Sequence, residues 1–141
     1  MAHGFKGERT LMRIFIGERD KSRSAPEKGH SLHRALLEYF RRHDFPGATV
    51  VRAISGFGAH SRIHTASIEV LSLDLPIVVE VVATEDQIQA ALPDLDKMID
   101  GGLITLERVR VILYRPHDLT DDERWDHRIE GLSPDEAGGA P

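Results

Sequence analysis

An α+β sandwich, in which one antiparallel sheet carries two helices on a single face, is the fold class predicted by this 141-residue sequence. Three observations predict it. Two segments with helical apolar spacing are interleaved with four of strand character, in the order strand, helix, strand, strand, helix, strand. The second helix carries a start signal and a stop signal of its own, and the first ends on a cluster of helix breakers. Hydrophobic residues make up 40% of the chain and cysteine is absent, so at this length a core can form without disulfide staples. The βαββαβ order is that of a ferredoxin-like sandwich, an architecture that hosts many functions and by itself decides none.

Residues 10–17 (TLMRIFIG) read as the first strand, alternating Met12, Ile14 and Ile16 with Leu11, Arg13 and Phe15. Residues 18–29 are polar, with Ser22, Ser24, Pro26 and Gly29, and read as a loop. Leu32, Leu36, Leu37 and Phe40 then recur at helical spacing, with His30 or Ser31 as the cap and Asp44, Pro46 and Gly47 as the stop. Residues 48–55 (ATVVRAIS) are β-branched, and residues 76–84 (PIVVEVVAT) form the most apolar run, as a central strand does. Thr84, Glu85, Asp86 and Gln87 spell a capping box ahead of the stripe Ile88, Leu92, Leu95 and Ile99, which Gly101 and Gly102 stop. Pro93 lies inside that stripe, removes a backbone donor, and predicts a kink or early break. Residues 103–113 return to strand periodicity with an apolar phase shift between Leu106 and Val109, which predicts a bulge or a corner near Glu107.

The net charge of −5 is unevenly placed. Residues 117–141 carry eight carboxylates against Arg124 and Arg128, a net of −6, which leaves residues 1–116 at +1. The sequence therefore divides into a body over 1–116 and an acidic tail over 117–141, expected to be a solvated extension with at most a helical turn over 121–127. A near-neutral body without a basic stripe argues against nucleic-acid binding. No apolar run reaches the ~18 residues of a membrane span, and the first ten residues lack the apolar core of a signal peptide. A cytoplasmic protein is the expectation.

Between the second and third strands lies the stretch that draws functional interest. Residues 56–76 make a connection far longer than the ~2–5 residues of a hairpin loop, and it opens with GFGAHSRIHT over 56–65. Glycines at 56 and 58, and again at 101 and 102, let backbone amides approach an anion closely, with Arg62 or Arg110 available to supply charge. Gly56, Phe57, Gly58, His60, Arg62, Gly101 and Gly102 are thus the candidate ligand-binding residues. His60 and His64 are candidate metal ligands, four apart, if the segment is helical or a partner subunit adds ligands. The bland alternatives are a strand-end turn for Gly56 and Gly58, a helix stop for Gly101 and Gly102, surface or capping roles for His30 and His33, and a solvated loop for Arg19, Lys21, Arg23 and Lys28. No nucleophile elbow, Walker loop or HExxH motif occurs, and Glu85 and Asp86 fall in a first helical turn where they offset the macrodipole. The chain does not read as an enzyme.

GFGAHSRIHT, Asp74-Leu75-Pro76 and GLITLERVRV over 102–111 together resemble the PII-like family catalogued as domain of unknown function 190, and the loops at 56–65 and 100–104 resemble the phosphate-proximal loops of PII signal-transduction proteins. The resemblance spans residues 11–114. It implies a homotrimeric cytoplasmic regulator with a small ligand, such as an adenine nucleotide, between subunits, and a 56–76 loop that signals to a partner such as a membrane transporter or channel. Where classical PII proteins have an Arg and a Gln that help hold ATP and its metal, this chain has Ala59 and His60, and Leu103 stands in place of a phosphate-binding Lys. The Tyr modified in some PII regulators is also missing. On this reading residues 59–65 are expected to order when ligand binds. An alternative, resembling the copper-tolerance relatives of PII, is a trimeric divalent-metal-binding protein using His60 and His64.

Side-chain alternation adds an expectation about assembly. Met12, Ile14, Ile16, Ile77, Val79, Val81, Val109, Val111 and Leu113 are assigned to the helix-covered face. Leu11, Phe15, Val50, Ile54, Val78, Val82, Ile112 and Tyr114 fall on the other, with Glu80 opposite Arg13 or Arg52. That second face is too apolar to leave in water and predicts a closed homo-oligomer.

Overall fold

A computed structural model describes residues 4–58, 64–65 and 74–116. Six strands and two helices follow in the order β1 (Phe5–Gly17), α1 (Leu32–Arg42), β2 (Ala48–Arg52), β3 (Ser55–Gly56), β4 (His64–Thr65), β5 (Pro76–Ala83), α2 (Glu85–Met98) and β6 (Leu103–Tyr114). The main sheet is ordered β2-β5-β1-β6, and all its pairs are antiparallel. β3 and β4 form a separate two-stranded ribbon. This is the expected βαββαβ sandwich with a small ribbon added at the start of the long connection. The acidic tail and residues 59–63 and 66–73 lie outside the described residues.

The core forms where one face of the sheet meets both helices. Met12, Ile14 and Ile16 of β1 and Ile77, Val79 and Val81 of β5 point into it, at opposed positions Met12–Val81, Ile14–Val79 and Ile16–Ile77. Leu32, Ala35, Leu36, Tyr39 and Phe40 come from α1, and Ile88, Ala91, Leu95 and Met98 from α2. The two helices are joined at their flanks by Tyr39, whose hydroxyl donates to Asp94 at 2.6 Å. Burial, the bond to Asp94 and the carboxylate charge beside it hold the phenol proton firmly, raising its pKa.

Local signals mostly act as their chemistry demands. Thr84 Oγ1 accepts from the Gln87 amide at 3.2 Å while the Gln87 side chain accepts from the Thr84 amide, so both halves of the capping box are made. Ser31 stands at the N-cap of α1, but its hydroxyl lies 3.0 Å from His33 Nδ1 rather than capping an amide. α1 ends as expected: Asp44 adopts φ 57°, and the Phe45 amide closes back onto the Phe40 carbonyl at 3.0 Å.

Four expectations are corrected. The early break at Pro93 is absent, since α2 runs through to Met98; Pro93 and Gln89, the residue whose carbonyl loses its donor, are both exposed, where solvent can reach the freed carbonyl. No bulge occurs at Glu107. The β1–β6 register is continuous from Phe15–Leu103 to Gly7–Val111 and shifts between Phe5 and Gly7, where Gly7 takes φ 99°. Val109 and Val111, opposite Arg9 and Gly7, therefore share the uncovered face with Leu11 and Arg13, and Ile104 and Leu106 turn to the helix side. In β2 it is Val50, opposite Val79, that packs on the core, while Thr49 and Val51 sit on the uncovered face. Ala48, Thr49, Val50 and Val51 offer apolar or β-branched groups in both phases, and the edge strand β6 is largely exposed on both sides, so neither pattern reports its face.

The far ends of β1 and β6 bend across the uncovered face. β2 and β6 are the two edges of the sheet, three spacings or roughly 14 Å apart, yet Tyr114 donates from its hydroxyl to the Pro46 carbonyl at 3.1 Å. The Tyr114 ring stacks on Phe5, with centroids 4.7 Å apart.

Candidate functional site: the glycine-lined end of the sheet

β1 ends and β5 begins at the opposed pair Gly17–Pro76, and β6 begins at Leu103 opposite Phe15. The two glycine segments found in the sequence therefore meet the same end of the sheet. Gly56 lies beside Pro76 of β5, and Gly102 beside Phe15 of the neighbouring strand β1.

The four glycines separate into two kinds. A Cβ on Gly56 would come within 2.8 Å of the Pro76 ring, and one on Gly102 within 2.7 Å of the Phe15 carbonyl oxygen. At these two positions the close approach of chain to chain requires glycine, as in the bland reading. Around Gly58 and Gly101 no atom of the described residues lies within 4 Å of an added Cβ. Their backbones are free to be approached from outside, and the neighbouring Phe57 ring is 67% exposed.

The β1–α1 loop laces this end together with contacts that sequence reasoning missed. The Asp74 carboxylate accepts from the Arg19 amide at 3.0 Å, and the Glu18 amide donates to the Leu75 carbonyl at 2.9 Å. Asp20 accepts from the Gly17 amide at 2.9 Å. The Arg23 amide donates to the Met98 carbonyl at 3.0 Å, and its guanidinium pairs with Asp100 at 2.8 Å, directly before Gly101. The backbone of Arg23 is thus tied to the end of α2, while its side chain stays exposed, as a solvated loop charge does. The Asp-Leu-Pro motif was visible in the sequence as a marker, but nothing in its spacing announced that its carboxylate closes the turn after β1.

Charge at this end is balanced. Arg19, Lys21, Arg23 and Arg52 are matched in number by Glu18, Asp20, Asp74 and Asp100, and two pairs are made, Arg52 with Glu18 and Arg23 with Asp100. The second Glu18 oxygen is buried without a hydrogen-bond partner among the described residues. His33 stands close by, its pKa lowered by burial, with Glu18 opposing and Arg34 and Arg52 reinforcing the shift. Arg110 does not contribute here: it opposes Glu8, eight residues or about 26 Å of extended strand beyond Gly102. An anion at this end would lean on backbone amides.

His60 and Arg62 lie outside the described residues. His64 opposes Gly56 in the β3–β4 ribbon, so the helical arrangement of the His60 and His64 pair does not apply. Among the described residues no cluster of three or more metal-ligating side chains occurs, and no helix is long and apolar enough to cross a membrane.

Sheet order, helix placement and the position of the glycine end define a PII-like α+β fold. Two solved structures share it at low identity. CPII, a nitrogen regulatory PII-like protein from Thiomonas intermedia K12 whose structure holds ADP, AMP and bicarbonate, superposes with a TM-score of 0.52 and 15% identity over 75% of this chain and 90% of its own. A PII-like signalling protein of Thermus thermophilus gives 0.52 and 18% over 78% and 93%. Within that fold the chain belongs to the DUF190 family, described as "Uncharacterized ACR", whose model matches residues 9–111. A UPF0166 protein of Aquifex aeolicus is 36% identical over 105 residues, 74% of this chain and 94% of the relative. Another, from Methanocaldococcus jannaschii, is 30% identical over 97 residues, 68% and 84% respectively.

Proposed function

We propose that this protein is a PII-like regulator, not an enzyme, that binds an adenine nucleotide at its glycine-lined end, between the subunits of a homotrimer, and signals through residues 56–76 to a partner such as a membrane transporter. The observation that carries the ligand reading is that Gly58 and Gly101 have no neighbour within 4 Å of an added Cβ among the described residues, at an end of the fold where Gly56 and Gly102 are fixed by packing. ADP and AMP in the CPII structure support the choice of nucleotide. Assembly is supported by the uncovered face, where Phe15, Val51 and Leu103 are 36%, 48% and 57% exposed. Arg13 lies among them, bridging Glu80 at 3.4 Å and Glu107 at 3.1 Å. A contiguous apolar surface of this kind marks an interface, and burying the bridged charges adds specificity to it.

A thermal-shift screen with ADP, ATP, AMP and divalent metals tests the ligand class, with light scattering after size exclusion run on the same samples. Stabilisation by an adenine nucleotide and a mass three times 15.8 kDa are the expected results. Stabilisation by metals alone, or a monomer at micromolar concentration, would overturn the ligand or the assembly respectively.

A further inference from the structure

Glu18 holds both described ends of the long connection that carries the glycine motif. Its amide donates to the Leu75 carbonyl at 2.9 Å, just before β5, and one oxygen of its carboxylate accepts from the Arg52 guanidinium at the end of β2. One residue on, the Ala53 amide donates to the Pro76 carbonyl at 2.8 Å. The Arg52 bond therefore fixes the point at which the chain leaves the sheet. Arg52 opposes Ile77, a core residue, so this contact lies on the helix side and away from the uncovered face. The Glu18 side chain is only 17% exposed, whereas that of Arg52 is 61% exposed, and the other Glu18 oxygen is buried with no partner among the described residues. A buried carboxylate oxygen in that state has room for a donor, and gains by meeting one.

We propose that His33 supplies that donor when it gains a proton, so that Glu18 changes partner from Arg52 to His33 and the end of β2 is released under acidic conditions. The start of α1 is held against the same loop, because the Leu32 amide donates to the Asp20 carbonyl at 2.8 Å. Ser31 Oγ lies 3.0 Å from His33 Nδ1 and serves one ring nitrogen, whereas an imidazolium carries two donors. The charges acting on the ring are Glu18 from the β1–α1 loop, Arg34 from α1 itself and Arg52 from β2; the Asp20 carboxylate is already engaged by the Gly17 amide. Once His33 is charged, one carboxylate faces three cations. Solvent decides which of them it keeps. Water takes over the exposed Arg52 readily, since exposed ion pairs are worth little, while a charged imidazolium in a half-buried position is costly without an acceptor. Burial, with Glu18 opposing and Arg34 and Arg52 reinforcing, holds His33 below its ordinary value, so the change of partner falls on the acid side of about pH 6.5.

No nucleotide enters this change of partner, and its test needs none. In the full chain, NMR follows the His33 ring, the Arg52 Nε–H and the Ala53 amide from about pH 8 to about pH 5, the range over which a histidine titrates. All three signals move with one midpoint, below about 6.5, and the Arg52 signal ends where it stands throughout in Glu18→Gln, which has no carboxylate to pair. In His33→Gln the Arg52 and Ala53 signals stay still. Arg52→Gln removes a cation from beside the ring and raises the His33 midpoint, while Glu18→Gln removes the anion and lowers it. A His33 ring that titrates while Arg52 and Ala53 stay still overturns the proposal. So do Arg52 and Ala53 signals that move unchanged in His33→Gln, which would assign the transition to Glu18 itself. An unaltered His33 midpoint in both Glu18→Gln and Arg52→Gln overturns it independently of how His33→Gln behaves. The amides of Val79 and Val81, inside β5, keep their shifts; movement there with the same midpoint would make the change a general loosening and overturn a local release.

Discussion

Replacing Gly102 by alanine should destabilise the domain, whereas the same change at Gly101 should not. The added methyl at 102 would sit 2.7 Å from the Phe15 carbonyl oxygen, 3.2 Å from Ile16 Cγ2 and 3.5 Å from Ile99 Cγ2. Phe15 belongs to β1, which is paired on both sides, by β5 and by β6, so its carbonyl cannot retreat without disturbing two ladders. Overpacking of this kind costs about 1–3 kcal/mol, and in a domain of this size each kcal/mol lowers Tm by about 4 °C. At Gly101 no atom of the described residues lies within 4 Å of the added methyl and the backbone is outside the left-handed region, so alanine should be neutral or stabilise by about 0.4–1 kcal/mol through the unfolded chain. Urea denaturation followed by far-ultraviolet circular dichroism gives both values. A Gly102→Ala protein as stable as the unaltered one, or a Gly101→Ala protein equally destabilised, would refute the division of the glycines into packed and open positions.

Other outcomes follow from single contacts. Thr84→Ala removes the hydroxyl half of the α2 capping box and should cost about 1 kcal/mol in the same denaturation assay. Tyr39→Phe removes the bond that joins α1 to α2 through Asp94 and should cost about 1–2 kcal/mol, with a Tyr39→Phe, Asp94→Asn double mutant losing less than the sum of the single changes. His33 is held below its ordinary value by burial, so the folded state favours its neutral form. Its contribution is complete above an unfolded pKa of about 6.5 and is lost as pH falls from there through the lower folded value. Denaturation midpoints should decline over that window, and His33→Gln should flatten the decline.

How much of this was legible in the sequence depended on whether a residue's role was local. The capping box, the α1 stop at Asp44 and the order of elements along the chain followed from neighbours a few positions apart, and the structure has them. The glycine motifs were visible as candidates, but only the contacts of Gly56 with Pro76 and of Gly102 with Phe15 separate packing from openness, and those partners are distant in sequence. The faces of β2 and β6 were misread because alternation reports a face only where one side is buried and the other wet. The break expected at Pro93 did not form because the cost of a missing helical bond depends on whether water reaches the freed carbonyl. Asp20 gave no signal and Asp74 none of its role, since carboxylates that close turns across a sheet end look in sequence like any surface acid.

Titration calorimetry of ADP into the unaltered protein and into Gly101→Leu tests the nucleotide reading most directly. Gly101 is chosen because a side chain there meets no described atom within 4 Å of its Cβ, so the variant should match the unaltered protein in Tm and in mass by light scattering. Saturable binding at one site per chain, lost in Gly101→Leu, is the predicted result. No detectable binding at millimolar ADP, or equal affinity in both proteins, would contradict it.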